Sequence, residues 1–399
     1  MREPGFRRAG WLVALLLCSA AALPAHAASD AAALDRAVRD VCDKQVVLLG
    51  EDATHGSGKT LEIKVELITR LIDRCGFSAV AFESQIYDFL ALERSFATSS
   101  AKPAQLADAI GGLWSTTREI EPLVSYLFER AARGQVRLVG LDPQVGGATQ
   151  HYTQALLPRE LSGYLEAGRQ QECAEQLERL TDYRYDAATP YDETAREQLR
   201  ACAVEIQARA ENQADRNGAV FAARMALNLS RYLDMSSDDA SNVRDRAMFD
   251  NLMWHRSRFT AGMKTIVWCA TVHAVKQAPV DSKLIPIGHY VHQALGVRAA
   301  AIGFSALTGS YGRPNRPPTI LAAAPPGALE QLALQDPTQE IVYINAAQLR
   351  KRGEVAARTI NYPRFITARW DQLLDGIIVL RQERPPEYVR SAKPQQATQ

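Results

Sequence analysis

Short continuous apolar runs alternate along this chain with stretches whose apolar residues recur every three or four positions. The runs are Val46-Val47-Leu48-Leu49, Ala79-Val80-Ala81-Phe82, and residues 136–141, 265–269, 299–304, 341–344 and 376–380. Runs of this length without polar alternation predict strands buried on both faces, as in a parallel sheet. Between the first two, Leu61, Val65, Ile68 and Ile72 share one helical stripe, while Glu62, Glu66, Arg70 and Asp73 fall off it. That spacing predicts an amphipathic helix ended by Gly76. Strand, helix and strand form a βαβ unit, whose crossover rule makes the sheet parallel. The expected fold is therefore α/β, with a mostly parallel central sheet of at least seven strands flanked by helices; Thr319-Ile320-Leu321 is a further candidate strand.

The pattern changes twice. From about Leu157 to Met235 the chain is rich in Ala, Leu, Glu, Gln and Arg with helical spacing, which predicts a largely helical insertion over residues 151–240 between two parts of one α/β domain, 28–150 and 241–390. Residues 391–399 read as a disordered tail. At the other end, Arg2, Arg7 and Arg8 precede the apolar run 11–23, and Ala25-His26-Ala27 supplies small residues, the pattern of a secretory signal peptide cut after Ala27. The expectation is an extracytoplasmic protein, periplasmic or secreted, with no stable membrane anchor. In such a compartment disulfides persist, and Cys42 could pair with Cys75 and Cys173 with Cys202, leaving Cys269 as an inert core thiol. Charge adds only an exclusion: 46 basic residues balance 45 acidic ones, so no general field favours nucleic acid as a partner.

The chemistry concentrates at the first strand-to-helix junction, Gly50-Glu51-Asp52-Ala53-Thr54-His55-Gly56-Ser57-Gly58-Lys59-Thr60. Its second half fits a loose phosphate-binding loop, but Glu51 and Asp52 would repel the phosphates. A nucleophile-elbow reading of Gly303-Phe304-Ser305-Ala306-Leu307 lacks the closing glycine, and no zinc-binding spacing is present. His151 and His255 read as surface or boundary residues. What remains is a series of polar groups at strand ends: Glu51, Asp52 and His55, then Glu83, then Asp142 and Gln144, then His273. Parallel strands bring such ends into one crevice, and an imidazole flanked by carboxylates is suited to take a proton from water.

These residues resemble the erythromycin esterase family. The resemblance rests on Gly50, Glu51, His55, Gly56 and Lys64, on Ala79-Val80-Ala81-Phe82-Glu83, and on Trp114 with Glu119 and Pro122. It continues through Gly140-Leu141-Asp142-Pro143-Gln144, Arg244-Asp245 with Met248 and Asn251, Val267-Trp268 with His273, and Ile302-Gly303-Phe304 with Gly309. It implies a metal-independent, cofactor-free hydrolase of a small-molecule ester or macrolide lactone. It further implies His55 as the general base, Glu51 or Asp52 as its orienting carboxylate, and Glu83 and His273 as further members of the catalytic centre. Lys64, Trp114, Asp142, Gln144 and Arg244 would serve substrate binding. Two departures stand out: one extra residue in the opening motif, which leaves both Glu51 and Asp52 as possible partners of His55, and Ala270 where esterases of this family carry a histidine.

Overall fold

The computed structural model describes residues 25–145, 149, 151–213, 218–235, 239–278, 282–314 and 316–389. Most of the signal segment and the whole 391–399 tail lie outside them, and Ala25 to Ala27 fall within the first helix, Ala25–Val41. No helix among the described residues is long and apolar enough to cross a membrane.

Ten strands form among the described residues: β1 Val46–Leu49, β2 Phe77–Gln85, β3 Arg137–Asp142, β4 Lys264–Trp268, β5 Ala299–Tyr311, β6 Thr319–Ile320, β7 Ile341–Asn345, β8 Glu354–Ala357, β9 Ile366–Arg369 and β10 Gly376–Glu383. The main sheet has eight strands in the order β3-β2-β4-β1-β5-β10-β7, with β6 paired to β5. All neighbours from β3 to β10 along this path run parallel, whereas β7 and β6 are antiparallel additions. The fold expectation is met, and the 319–320 segment joins the sheet. The small β8-β9 hairpin carries no continuous apolar run and was not legible in the sequence.

Burial on both faces explains the unbroken apolar runs. Val47 and Leu49 enter one core cluster and Val46 and Leu48 the other, and all four are fully buried. β1 therefore sits between two apolar layers, the position that favours a continuous run over alternation. A third cluster fills the helical segment 157–234 and includes Ile86, Tyr87 and Leu90. Disulfides join Cys42 to Cys75 and Cys173 to Cys202, with Cα separations of 5.1 and 5.8 Å, and Cys269 is a buried free thiol.

The helix Gly58–Cys75 that leaves the polar junction starts without a side-chain cap of its own. Glu383, at the end of β10, supplies one from 324 residues away. Its Oε1 accepts the amides of Lys59 (2.7 Å) and Thr60 (3.3 Å), and its Oε2 accepts the hydroxyls of Thr60 (2.6 Å) and Tyr362 (2.9 Å). A carboxylate there satisfies orphan amides and complements the helix dipole. Replacing Glu383 with alanine would remove the acceptor of these four bonds and of the Arg384 amide at 3.0 Å. Urea denaturation of Glu383→Ala should show a loss of about 1–3 kcal/mol or more, with the Glu383→Gln loss smaller.

Candidate active site

Parallel register puts the chemistry at one level. Leu49 of β1 and Phe82 of β2 both align with Trp268 of β4, so Glu51, Glu83 and the Cys269-Ala270 peptide emerge side by side. Glu83 does not end its strand as the sequence suggests. β2 continues to Gln85, and Glu83 sits where the register with β3 slips between Phe82 and Gln85, an irregularity that re-aims a side chain.

After β1 the chain folds into a tight turn. Asp52 Oδ2 accepts the Thr54 amide at 3.0 Å and the Thr54 hydroxyl, while Oδ1 accepts the Tyr362 amide at 2.7 Å. The His55 amide donates to the Asp52 carbonyl at 2.9 Å, and His55 itself adopts a left-handed φ of 56°. Such a conformation at a non-glycine residue is held by its surroundings. Here the Gly56 carbonyl accepts the Gly312 amide at 2.9 Å, and a Cβ on Gly56 would meet the Gly312 carbonyl oxygen at 2.7 Å. Burial raises the Asp52 carboxyl, although its bonds to Thr54 and Tyr362 oppose the shift.

Glu51 is the carboxylate that meets the imidazole. Its Oε1 lies 2.7 Å from His55 Nδ1 and accepts Trp114 Nε1–H at 2.8 Å, and its Oε2 accepts Lys64 Nζ at 3.0 Å. Glu51 and Lys64 are both fully buried. Burial alone would raise Glu51, but the charges of Lys64 and His55 outweigh it and the net direction is down. Lys64 is also lowered, by burial first, with Glu51 opposing. Three donors converging on one carboxylate favour the ion pair. Lys64 is further held by the Cys269 carbonyl at 3.3 Å and by the Trp268 ring, whose centroid lies 3.9 Å away. A carboxylate at Nδ1 fixes the tautomer in which Nδ1–H donates and Nε2 keeps its lone pair.

A second group surrounds Arg244. Its guanidinium donates to Asp142 at 2.6 and 3.1 Å and to Glu83 Oε1 at 2.9 Å. His273 Nδ1 lies 2.9 Å from both Asp245 oxygens, and its Nε2 lies 3.2 Å from Glu83 Oε1 and 3.1 Å from Arg244 Nη1. Burial lowers His273, but Glu83 and Asp245 outweigh it and push its pKa up to about 10. Burial likewise raises Glu83, yet His273 and Arg244 hold it well below the usual carboxylate range. An imidazolium cannot accept from Arg244, so Nε2–H belongs to Glu83, and the Arg244 approach is a cation contact compensated by three carboxylates. The two groups join through consecutive backbone atoms: Lys64 holds the Cys269 carbonyl, and the Ala270 amide donates to Glu83 Oε2 at 2.8 Å.

The partly exposed side chains of this centre are its imidazoles and its guanidinium. The side chains of His55, Arg244 and His273 are 12%, 20% and 10% exposed, whereas Glu51 and Asp245 are at 0%, Glu83 at 3% and Asp142 at 5%. Lys64 and Trp114 stand behind Glu51. Gln144 is exposed, and its backbone amide donates to Asp142 at 3.0 Å. Sequence reasoning quoted Asp245 only as the neighbour of Arg244 and did not place Tyr362 or Glu383 near the junction, since their partners lie hundreds of residues away. His255 is a correction: it is buried, 1% exposed, with burial and then Arg258 and Arg224 lowering its pKa to about 3. His151 is exposed. The phosphate-loop reading loses its lysine, because Lys59 Nζ pairs with Glu62 at 2.9 Å while its amide serves Glu383. No group of three or more His, Cys, Asp or Glu among the described residues could hold a metal ion.

The erythromycin esterase family profile matches residues 72–382, most of the chain. The chain belongs to the erythromycin esterase family. The matched stretch contains Glu83, Trp114, Asp142, Arg244 and His273; the Glu51 to Lys64 segment precedes it. The Bacillus subtilis protein YbfO, provisionally named a hydrolase, is 23% identical over 325 residues, covering 72% of this chain and 71% of its own length. Among solved structures, a Bacillus cereus protein superposes with a TM-score of 0.70 at 16% identity, covering 90% of this chain and 93% of that one. A mutant of the erythromycin esterase EreC in its open conformation gives 0.63 at 16% identity, covering 89% and 95%. Family and relatives together place the chain among hydrolase-like proteins.

The raised pKa of His273 gives a stability prediction. Its ordinary value is 6.5 and its folded value about 10. The stabilisation is therefore complete below pH 6.5 and disappears as pH rises through about 10. Between those limits the protein should lose stability on the order of a few kcal/mol. The same urea titrations on His273→Gln should show a flatter profile over that window; an unchanged slope would mean that His273 is not held protonated.

Proposed function

We propose that this member of the family hydrolyses a carboxylic ester or lactone, with His55 activating water and no metal taking part. The observation that carries the reading is the distribution of exposure in the centre: the partly exposed side chains are an imidazole whose tautomer is set by a buried carboxylate and two cations, while the carboxylates that balance them are buried. A carbonyl entering from solvent meets donors rather than anions. His55 Nε2 takes a proton from water as the oxygen attacks the carbonyl carbon, and the oxyanion forms toward Arg244 and His273. The tetrahedral intermediate then collapses, and the proton on His55 passes to the departing alkoxide. Metal independence is supported by the pairing of the carboxylates: Glu51 is matched by Lys64, and Glu83 and Asp142 by Arg244.

The two disulfides and the amino-terminal charge and apolar pattern support export to an extracytoplasmic compartment. One observation favours a second reading, a ligand-binding protein of the same fold. Ala270 is buried and bonds only through its backbone, its amide to Glu83 and its carbonyl to the His273 and Ala274 amides, so any side-chain donor another family member places there is missing.

Hydrolysis of a panel of simple esters and macrolides separates the readings. His55→Ala should lower kcat/KM by about a thousandfold or more, and Glu51→Gln by on the order of 10²–10⁴ through loss of the tautomer. Asp52→Asn should cost stability while retaining most turnover. Activity that survives His55→Ala sinks the mechanism. Tight binding with no turnover on any ester supports the binding reading, and turnover abolished by chelators and restored by one metal overturns metal independence.

A further inference from the structure

The two histidines of the centre are held in different ways. His55 meets one carboxylate, Glu51, at Nδ1. His273 stands between two: both oxygens of Asp245 lie 2.9 Å from its Nδ1, and Glu83 Oε1 lies 3.2 Å from its Nε2. An ionised carboxylate only accepts, so each ring nitrogen of His273 must bring its own proton. The other contacts of both acids are donors. Glu83 accepts Arg244 Nη2 at 2.9 Å and the Ala270 amide at 2.8 Å, and Asp245 Oδ1 accepts the Ile287 amide at 2.7 Å. Ile287 opens the nine-residue helix Ile287–Leu295, and a carboxylate at that end complements the helix dipole.

Asp245 is fully buried and follows Arg244 on the helix Ala240–Arg258. Consecutive helical side chains diverge by about 100°, so Arg244 serves Glu83 and Asp142 while Asp245 serves His273 and Ile287. A Cβ on Gly288 would lie 2.1 Å from the Ala274 carbonyl oxygen, which packs the helix Ile287–Leu295 directly on the short helix Thr271–Ala274 that carries His273. The other charged and titratable groups on these elements are engaged elsewhere: His292 Nε2 and Lys276 Nζ meet Asp375 at 3.1 and 2.9 Å, and His289 Nδ1 meets the Lys276 carbonyl at 3.2 Å. Glu83, Asp245 and Arg244 are the charged groups in contact with His273, with Asp142 behind Arg244. We propose that Asp245 is a positioning residue: it holds His273 doubly protonated and oriented, so that His273 serves as a fixed cation beside the substrate carbonyl and never as a base. One carboxylate leaves His55 a lone pair for water; two leave His273 none. The pKa of about 10 at His273 agrees with this division. The effect on rate rests on the hydrolase reading, whereas the protonation state does not.

Asp245→Asn keeps the shape and an acceptor for the Ile287 amide but removes the charge. On an ester that the wild-type protein turns over, it should lower kcat by about tenfold to a hundredfold with a much smaller change in KM. The loss should depend on pH. In the wild type the cation persists until pH rises through about 10; in Asp245→Asn that alkaline limb should move down by about one to three units, so the ratio of variant to wild-type kcat should rise as pH falls. Asp245→Glu should recover part of the rate. A ratio that does not vary with pH is the mark of a merely structural role and overturns the proposal. NMR of the protein with isotopically labelled histidine reads the same group without turnover, His273→Gln assigning its resonances. Both ring nitrogens should stay protonated from about pH 7 to about 9 in the wild type and titrate within that range in Asp245→Asn. A wild-type His273 that is neutral at about pH 8 overturns the proposal without recourse to any variant, as does identical titration in the two proteins. If no ester is turned over, the hydrolase reading falls and the NMR titration alone decides the role of Asp245.

Discussion

The buried ion pair between Glu51 and Lys64 is the constraint on which the site depends. A carboxylate with no exposed surface stays ionised only when its charge and lone pairs are met, and here an ammonium, an indole N–H and an imidazole meet them. Each donor fixes something else. Lys64 ties the helix Gly58–Cys75 to the end of β4, Trp114 brings in the segment between β2 and β3, and His55 receives its orientation. Exchanging the pair for apolar residues would save desolvation free energy but would leave the imidazole without a reason to face Nε2 outward. The buried pair is better explained by the geometry it imposes than by stability.

The opening turn follows from that requirement. His55 returns to a carboxylate four residues earlier while its side chain stays partly exposed, and its backbone is left-handed there. Asp52 holds the bend, with Tyr362 and Gly312 bracing it from later parts of the chain. The extra residue in the motif is thereby accommodated inside the turn: Asp52 is spent on the backbone, and Glu51 remains for the ring.

Much of this architecture was legible in the sequence, for a physical reason. Strands buried on both faces leave unbroken apolar runs, and polar residues at their ends are few enough to stand out, so Glu51, His55, Glu83, Asp142 and His273 could be singled out together. The choice between Glu51 and Asp52 was not legible, because both follow the same strand and the turn that separates them is set by contacts with residues 312 and 362. Glu383 was equally hidden, its partners on the helix Gly58–Cys75 being more than 300 residues away in sequence. His255 was misjudged as a surface or boundary residue because its helix has no clean apolar stripe, and its burial comes from packing between the insertion and the sheet rather than from local pattern.

Charge balance connects the two halves of the centre. Around Arg244 three carboxylates, Glu83, Asp142 and Asp245, face two cations, Arg244 and the protonated His273, a net single negative charge. Around Lys64 the Glu51 charge is cancelled, so a neutral His55 leaves the whole centre one unit negative. A proton arriving on His55 brings it to neutrality. A charged His55 contributes, after His273 and Arg244, to holding the Glu83 carboxyl low. In the proposed ester hydrolysis that proton would arrive as the tetrahedral intermediate forms, with the compensating negative charge on the carbonyl oxygen. Arg244 and His273 thus belong to the same charge balance as the proposed base, through the Glu83 carboxylate that both contact.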